Sequence, residues 1–337
     1  MDTSNPVLIE VTRGGAVESR HRGSAAVVRA DGTIVAQWGA AVGPVYPRSA
    51  IKPIQALALV ESGTAEHFSL SVEELALACA SHSGEPCHAE AVGGWLERVG
   101  LGLKALQCAI QTPRDGASAD AMVRAGAQPT ALNHNCSGKH AGMLSTALHM
   151  NEPIAGYLEP THPVQRRVAR ILAEMGSCDL TAAARGIDGC GIPVIAMPLA
   201  AVALALARLA APEGLEQKRA TAARLLFAAM TAHPYLVAGR GRFDTIAMTA
   251  GGGAFAVKTG AEGVHVAAVP GLRLGIALKI DDGAGRAAEV AMAALLQHLS
   301  VLDDDARATL SPYLDAPVLN SAGLRVGTIR AAAGWPA

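Results

Sequence analysis

Ser49 and Lys52, in the stretch YPRSAIKPIQALAL, form the only Ser-x-x-Lys pair of this 337-residue chain. Pro53 is tolerated only near the start of a helix, so the pair falls in a first turn, where residues three apart share a face and their side chains can meet. A serine hydroxyl is a weak nucleophile until a base removes its proton. A lysine is such a base once burial or neighbouring cations have lowered its pKa enough to leave it neutral. Lys258-Thr259-Gly260, in FAVKTGAEG, lies on what reads as a strand, and Ser81 and Ser83, in ACASHSGEPCH, lie on the loop leaving a helix. A second serine and lysine are useful in the same chemistry. They can pass a proton to a departing amine and hold positive charge near a developing oxyanion. Lys258 close to Lys52 would also depress both pKa values by like-charge repulsion.

The order Ser-x-x-Lys, serine-led triplet, Lys-Thr-Gly resembles the active-site elements of penicillin-recognising serine enzymes. The middle triplet here is Ser81-His82-Ser83, whereas those enzymes end it in Asn. A separate cluster occupies LNHNCSGKHAGML, where Cys136 and Lys139 sit in a glycine-containing elbow. A phosphate-binding loop ending at Lys139 would need glycine at position 133, and Asn133 stands there. Asp188 and Cys190 occupy a Gly-rich turn in RGIDGCGIPV. Two thiolates from separated loops with a histidine or lysine nearby suit zinc, although neither spacing is a recognised zinc pattern. The residues themselves leave a metal site, a catalytic cysteine and structural thiols open.

The elements that must position these groups follow from hydrophobic periodicity. Two β-rich runs flank the turn dipeptide Asp31-Gly32. Helical spacing then recurs in IQALALVESG, VEELALACASH, AEAVGGWLERVG, HAGMLSTALHM, THPVQRRVARILAEMG, LAAVALALARLA and QKRATAARLLFAAMTAH. Strand patterns return at GAFAVKTG, GVHVAAVPG and RLGIALKIDDG, before a last helix at GRAAEVAMAALLQHL. This arrangement predicts an α+β fold: one antiparallel sheet built from both chain ends, with a mostly helical middle over about 50–235. No repeat or linker marks a boundary, so a single domain spanning 1–337 is expected. Composition excludes other classes. With 28 Lys+Arg against 29 Asp+Glu and 3% aromatics, nothing favours nucleic acid or an anionic membrane as partner. The most apolar run, PVIAMPLAAVALALARLA, is broken by Pro198 and reaches Arg208 before it could span a bilayer. The N-terminus lacks a secretory pattern, so a cytoplasmic location is expected, with the six cysteines as reduced thiols.

Taken together, RSAIKP, ASHSGE, NCSGKHAGML, DGCGIP, GRGRF and KTGAEG resemble the rhizobial-type L-asparaginases. The resemblance implies a fold similar to serine β-lactamases and glutaminases, a homodimer, and hydrolysis of L-asparagine to L-aspartate and ammonia. It implies two Ser-Lys tandems, Ser49 with Lys52 and Ser81 with Lys258. It also implies zinc on Cys136, Lys139 and Cys190, with Asp188 alongside. Arg48, His140 and Asp244 are expected around the substrate. Some relatives carry cysteine at the position of Asp244, which is read either as a surface carboxylate paired with Arg242 or as a group that tunes the pocket. A glutaminase, a β-lactamase-like hydrolase, a cysteine amidohydrolase and a non-catalytic zinc-binding module remain the rival readings.

Overall fold

The computed structural model describes residues 5–337. It divides into two compact units. The first comprises the chain through Ala50, Met197–Ala211 and Ile246–Ala337; the second comprises Ile51–Ala196 and Pro212–Thr245.

The first unit is the antiparallel sheet expected from both chain ends. Its strands run in the order Asp315–Leu319, Arg325–Ala331, Val7–Arg13, Ala16–Arg29, Leu274–Ile280, Val264–Val269 and Ala256–Thr259, with Ile34–Trp38 paired to Ala16–Arg29 as a hairpin arm. Every pairing is antiparallel. Val264–Val269 is buried at every position and Leu274–Ile280 nearly so, which requires cover on both faces. Two helices, Leu199–Ala210 and Gly285–His298, pack on these strands. The first is alanine-rich and approaches closely: a Cβ on Gly275 would stand 2.0 Å from the carbonyl oxygen of Ala203. Glycine on the strand and alanine on the helix let the two backbones pack at this distance.

The second unit is helical and corresponds to the expected helical middle. Arg219, in the helix Gln217–Ala232, donates to Glu61 at 2.6 and 3.1 Å and to Glu174 at 2.6 Å, tying Leu57–Glu61 and Pro163–Gly176 to its own helix. The helix Val72–Ala78 opens with a capping box, Ser71 and Glu74 each bonding the other's backbone N–H. It packs on Ser137–His149. Gly138 makes this contact possible, since a Cβ there would lie 2.3 Å from Leu77 O. IQALALVESG is two short helices, Lys52–Gln55 and Leu57–Glu61, joined at Ala56, where the turn tightens to ψ −16. No helix among the described residues is long and apolar enough to cross a membrane.

Candidate active site

Ser49 lies in the 3₁₀ turn Arg48–Ile51, which runs into the helix beginning at Lys52. Arg48 has φ 52, a left-handed conformation that costs a non-glycine residue about 1 kcal/mol or more and is held only where the surroundings impose it. In the same unit, Gly260 fits against this turn: a Cβ there would meet Pro47 O at 2.9 Å and the Ala50 Cβ at 3.2 Å. The end of the Lys258 strand therefore packs on the Ser49 turn, which gives the glycine of Lys-Thr-Gly a steric purpose. Lys258 is 1% exposed, and its Nζ donates to Thr259 O at 2.7 Å.

Lys52, Ser81 and the cysteine cluster all belong to the second unit. Lys52 is as buried as a core leucine, and its Nζ donates to Ala80 O at 2.5 Å and to Ser81 Oγ at 2.9 Å. Burial pushes its pKa below the ordinary 10.5; the nearby Lys139 cation adds to this, while the Cys136 thiol opposes it. The Ser81 segment is a hub for neighbouring loops. Ser81 N donates to Val237 O at 2.9 Å, and Ser83 Oγ donates to Ala238 O at 2.8 Å. Ser83 O accepts from Arg114 N at 2.7 Å and Asp115 N at 3.2 Å. Gly84 N donates to His82 Nδ1 at 3.1 Å, which leaves Nε2 protonated and facing Ser137 Oγ at 2.9 Å. Glu85 accepts from Arg240 N at 2.9 Å and from the Tyr235 hydroxyl. Gly239, at φ 108, passes so close that a Cβ would fall 2.6 Å from both Glu85 Oε1 and Ser83 Oγ.

Cys136 caps the helix Ser137–His149, and Cys190 stands in the turn Asp188–Gly191, where Gly191 N donates to Asp188 O at 2.8 Å and φ 91 suits only glycine. Lys139 Nζ donates to Cys190 Sγ at 2.9 Å, and all three side chains are buried. The neighbouring Cys190 thiol, with Lys52 and Lys139 adding to it, holds the Cys136 pKa well below the usual thiol value despite burial. Cys136 in turn, together with burial, pushes the Cys190 thiol up. Burial opposes the charge on Lys139, but Cys190, Cys136 and Asp188 together raise its pKa. Among the described residues no three His, Cys, Asp or Glu side chains form a group that could hold a metal. A metal here must therefore take the lysine amine as its third donor, beside one thiol already biased to the thiolate form. Two sulfurs and a nitrogen fit a zinc centre that keeps a fourth position open.

His140, next in sequence to Lys139, is wholly buried, and burial drives its pKa well below 6.5, so it is neutral. Tyr157 OH accepts from Gln107 N at 3.0 Å and sits 2.6 Å from His140 Nδ1. The phenol thus donates to Nδ1, and the imidazole proton resides on Nε2, which has no hydrogen-bond partner among the described residues. Sequence reasoning missed Tyr157, because nothing in its neighbourhood marks a residue seventeen positions from its partner. Asp244 is 2% exposed in the first turn of the helix Phe243–Gly251, so its reading as a surface carboxylate paired with Arg242 is overturned. That helix itself was not anticipated.

No curated protein matches the chain. A family model described as L-asparaginase II matches residues 9–331, from the first strand of the sheet to the last. With all but the extreme ends of the sequence accounted for in this way, the chain belongs to the L-asparaginase II family.

Proposed function

We propose that this protein hydrolyses the side-chain amide of L-asparagine through a serine acyl-enzyme. The observation that carries the reading is buried Lys52 in contact with Ser81 Oγ, its ammonium form disfavoured by burial. A lysine in that state accepts a proton near neutral pH. Ser49 Oγ attacks the amide carbon while Lys52 takes its proton. The C–N bond of the resulting tetrahedral species then breaks as the proton held by Lys52 passes through Ser81 and Lys258 to the departing nitrogen, which leaves as ammonia. Water then attacks the β-aspartyl ester, giving a proton to Lys52, which returns it to Ser49 Oγ as the ester C–O bond breaks. Neutral His140 offers an Nε2–H to substrate or water. Cys136, Lys139 and Cys190 would hold zinc, with Asp188 alongside. When bound, the cation would supply fixed positive charge for orienting the substrate.

Ser81 as the nucleophile is the second reading, favoured by the same hydrogen bond from Lys52. Ammonia release from L-asparagine and L-glutamine, with mass spectra of quenched reactions, tests both for the parent, Ser49→Ala and Ser81→Ala. A covalent adduct of the parent that disappears only in Ser49→Ala supports the first reading. An adduct that survives in Ser49→Ala moves the nucleophile to Ser81. Faster release from glutamine would make the chain a glutaminase, and absence of release from both would overturn the amidohydrolase reading.

A further inference from the structure

Two arginines of the second unit are not used by the chemistry above. Arg114 follows Pro113 on a loop pinned to the serine segment. Its N–H donates to Ser83 O at 2.7 Å, and Pro113 Cα would stand 3.2 Å from a Cβ on Gly84. Arg242 ends the loop 238–242, pinned to the same segment by Ser83 Oγ on Ala238 O and by Glu85 on Arg240 N. Ser83 thus gathers both loops two residues beyond Ser81. The fates of the arginines differ. Arg240 approaches Glu85 Oε2 at 3.8 Å. The guanidinium groups of Arg114 and Arg242 have no carboxylate or carbonyl partner among the described residues. They nevertheless lie close enough that burial and then the Arg242 charge lower the Arg114 pKa, with the Cys136 thiol, the same group that acts on Lys52, opposing. Two cations on neighbouring loops pinned to the serine segment, one half-buried and one solvent-exposed, form a positive patch that favours an anion. Arg114 keeps solvent-exposed surface, so an anion from solution can reach it.

We propose that Arg114, with Arg242 beside it, binds the α-carboxylate of the amino-acid substrate and so selects free asparagine over amides lacking that group. This rests on the asparagine-hydrolase reading. Only two carbon atoms separate the carboxylate from the reacting amide carbon, so a carboxylate anchor fixes the position of the amide. A planar guanidinium matches a carboxylate in a two-pronged manner that an ammonium does not.

The test compares L-asparagine with L-asparaginamide, in which a neutral amide replaces the α-carboxylate, for the parent, Arg114→Ala and Arg114→Lys. Arg114→Ala is expected to raise KM for asparagine about tenfold or more with kcat nearly unchanged, the loss of one charge-assisted hydrogen bond. It should leave KM for asparaginamide unmoved, and Arg114→Lys should recover part of the loss. Equal effects on both substrates, or none, would overturn the proposal. Failure of the underlying reading is distinguishable, because the parent would then release no ammonia. Calorimetry with L-aspartate and its α-amide still decides in that case. Selective loss of aspartate binding in Arg114→Ala supports the site; equal binding by both proteins, or no binding to the parent, overturns it.

Discussion

In the proposed mechanism, the physical state of Lys52 governs the chemistry. Its neutral fraction grows as pH rises, and burial moves that growth below the ordinary 10.5. kcat/KM should therefore climb with pH to a plateau, with an inflection below the value of a solvated lysine. A pH–rate profile showing no ionisation beneath about 10 would remove Lys52 as the base. Lys52→Arg should abolish turnover, since a guanidinium stays charged at any working pH. His140 gives a second handle. Tyr157→Phe deletes the donor that fixes the imidazole tautomer, and kcat/KM is expected to fall by about tenfold with the fold intact. Unchanged kinetics would show that the tautomer is fixed by something else. Of these residues, the Ser-x-x-Lys and Lys-Thr-Gly patterns were legible in the sequence because each is local. The Tyr157–His140 bond and the burial of Asp244 depend on which segments meet, and no short pattern records that.

Close backbone approach shapes the elements around the site. Gly138 lets the helix carrying Lys139 rest on Leu77 O, so Gly138→Ala has to separate the two helices and displace Cys136 with them. Thermal unfolding should show a loss of about 2 kcal/mol, the scale of overpacking, accompanied by weaker turnover. Gly94→Ala, on an open stretch of the helix Pro86–Arg98, serves as the control and should be neutral or slightly stabilising. Most helices were readable from three- and four-residue spacing, Leu199–Ala210 to the residue. The closing strands Asp315–Leu319 and Arg325–Ala331 were not. The first alternates between exposed and half-exposed positions and contains Pro317, as the outermost strand of a sheet can, which weakens its hydrophobic signal.

At the scale of the whole molecule, the proposed zinc centre ties the start of one helix to a distant turn, Cys136 to Cys190. Prolonged chelation should lower Tm and make Cys136 and Cys190 titratable by a thiol reagent, where before only Cys87 and, more slowly, Cys178 would respond. A thiol count unaffected by the chelator would count against the metal. A homodimer, implied by the family resemblance, should appear in light scattering as twice the 34.3 kDa chain mass.

The division of the chain into two units has a consequence for its synthesis. The helical unit is complete once Thr245 has emerged, whereas the sheet unit begins with the first strands and closes only with the last. Val7–Arg13 and Arg325–Ala331 are neighbours across more than three hundred residues. Until Arg325–Ala331 has been made, the N-terminal hairpin presents an unpaired strand edge, and until Leu274–Ile280 has been made, the apolar helix Leu199–Ala210 lacks the strand that it will cover. Nascent chains arrested shortly after residue 245 should hold a protease-resistant helical unit and remain dependent on chaperones. Emergence of Arg325–Ala331 should end that dependence.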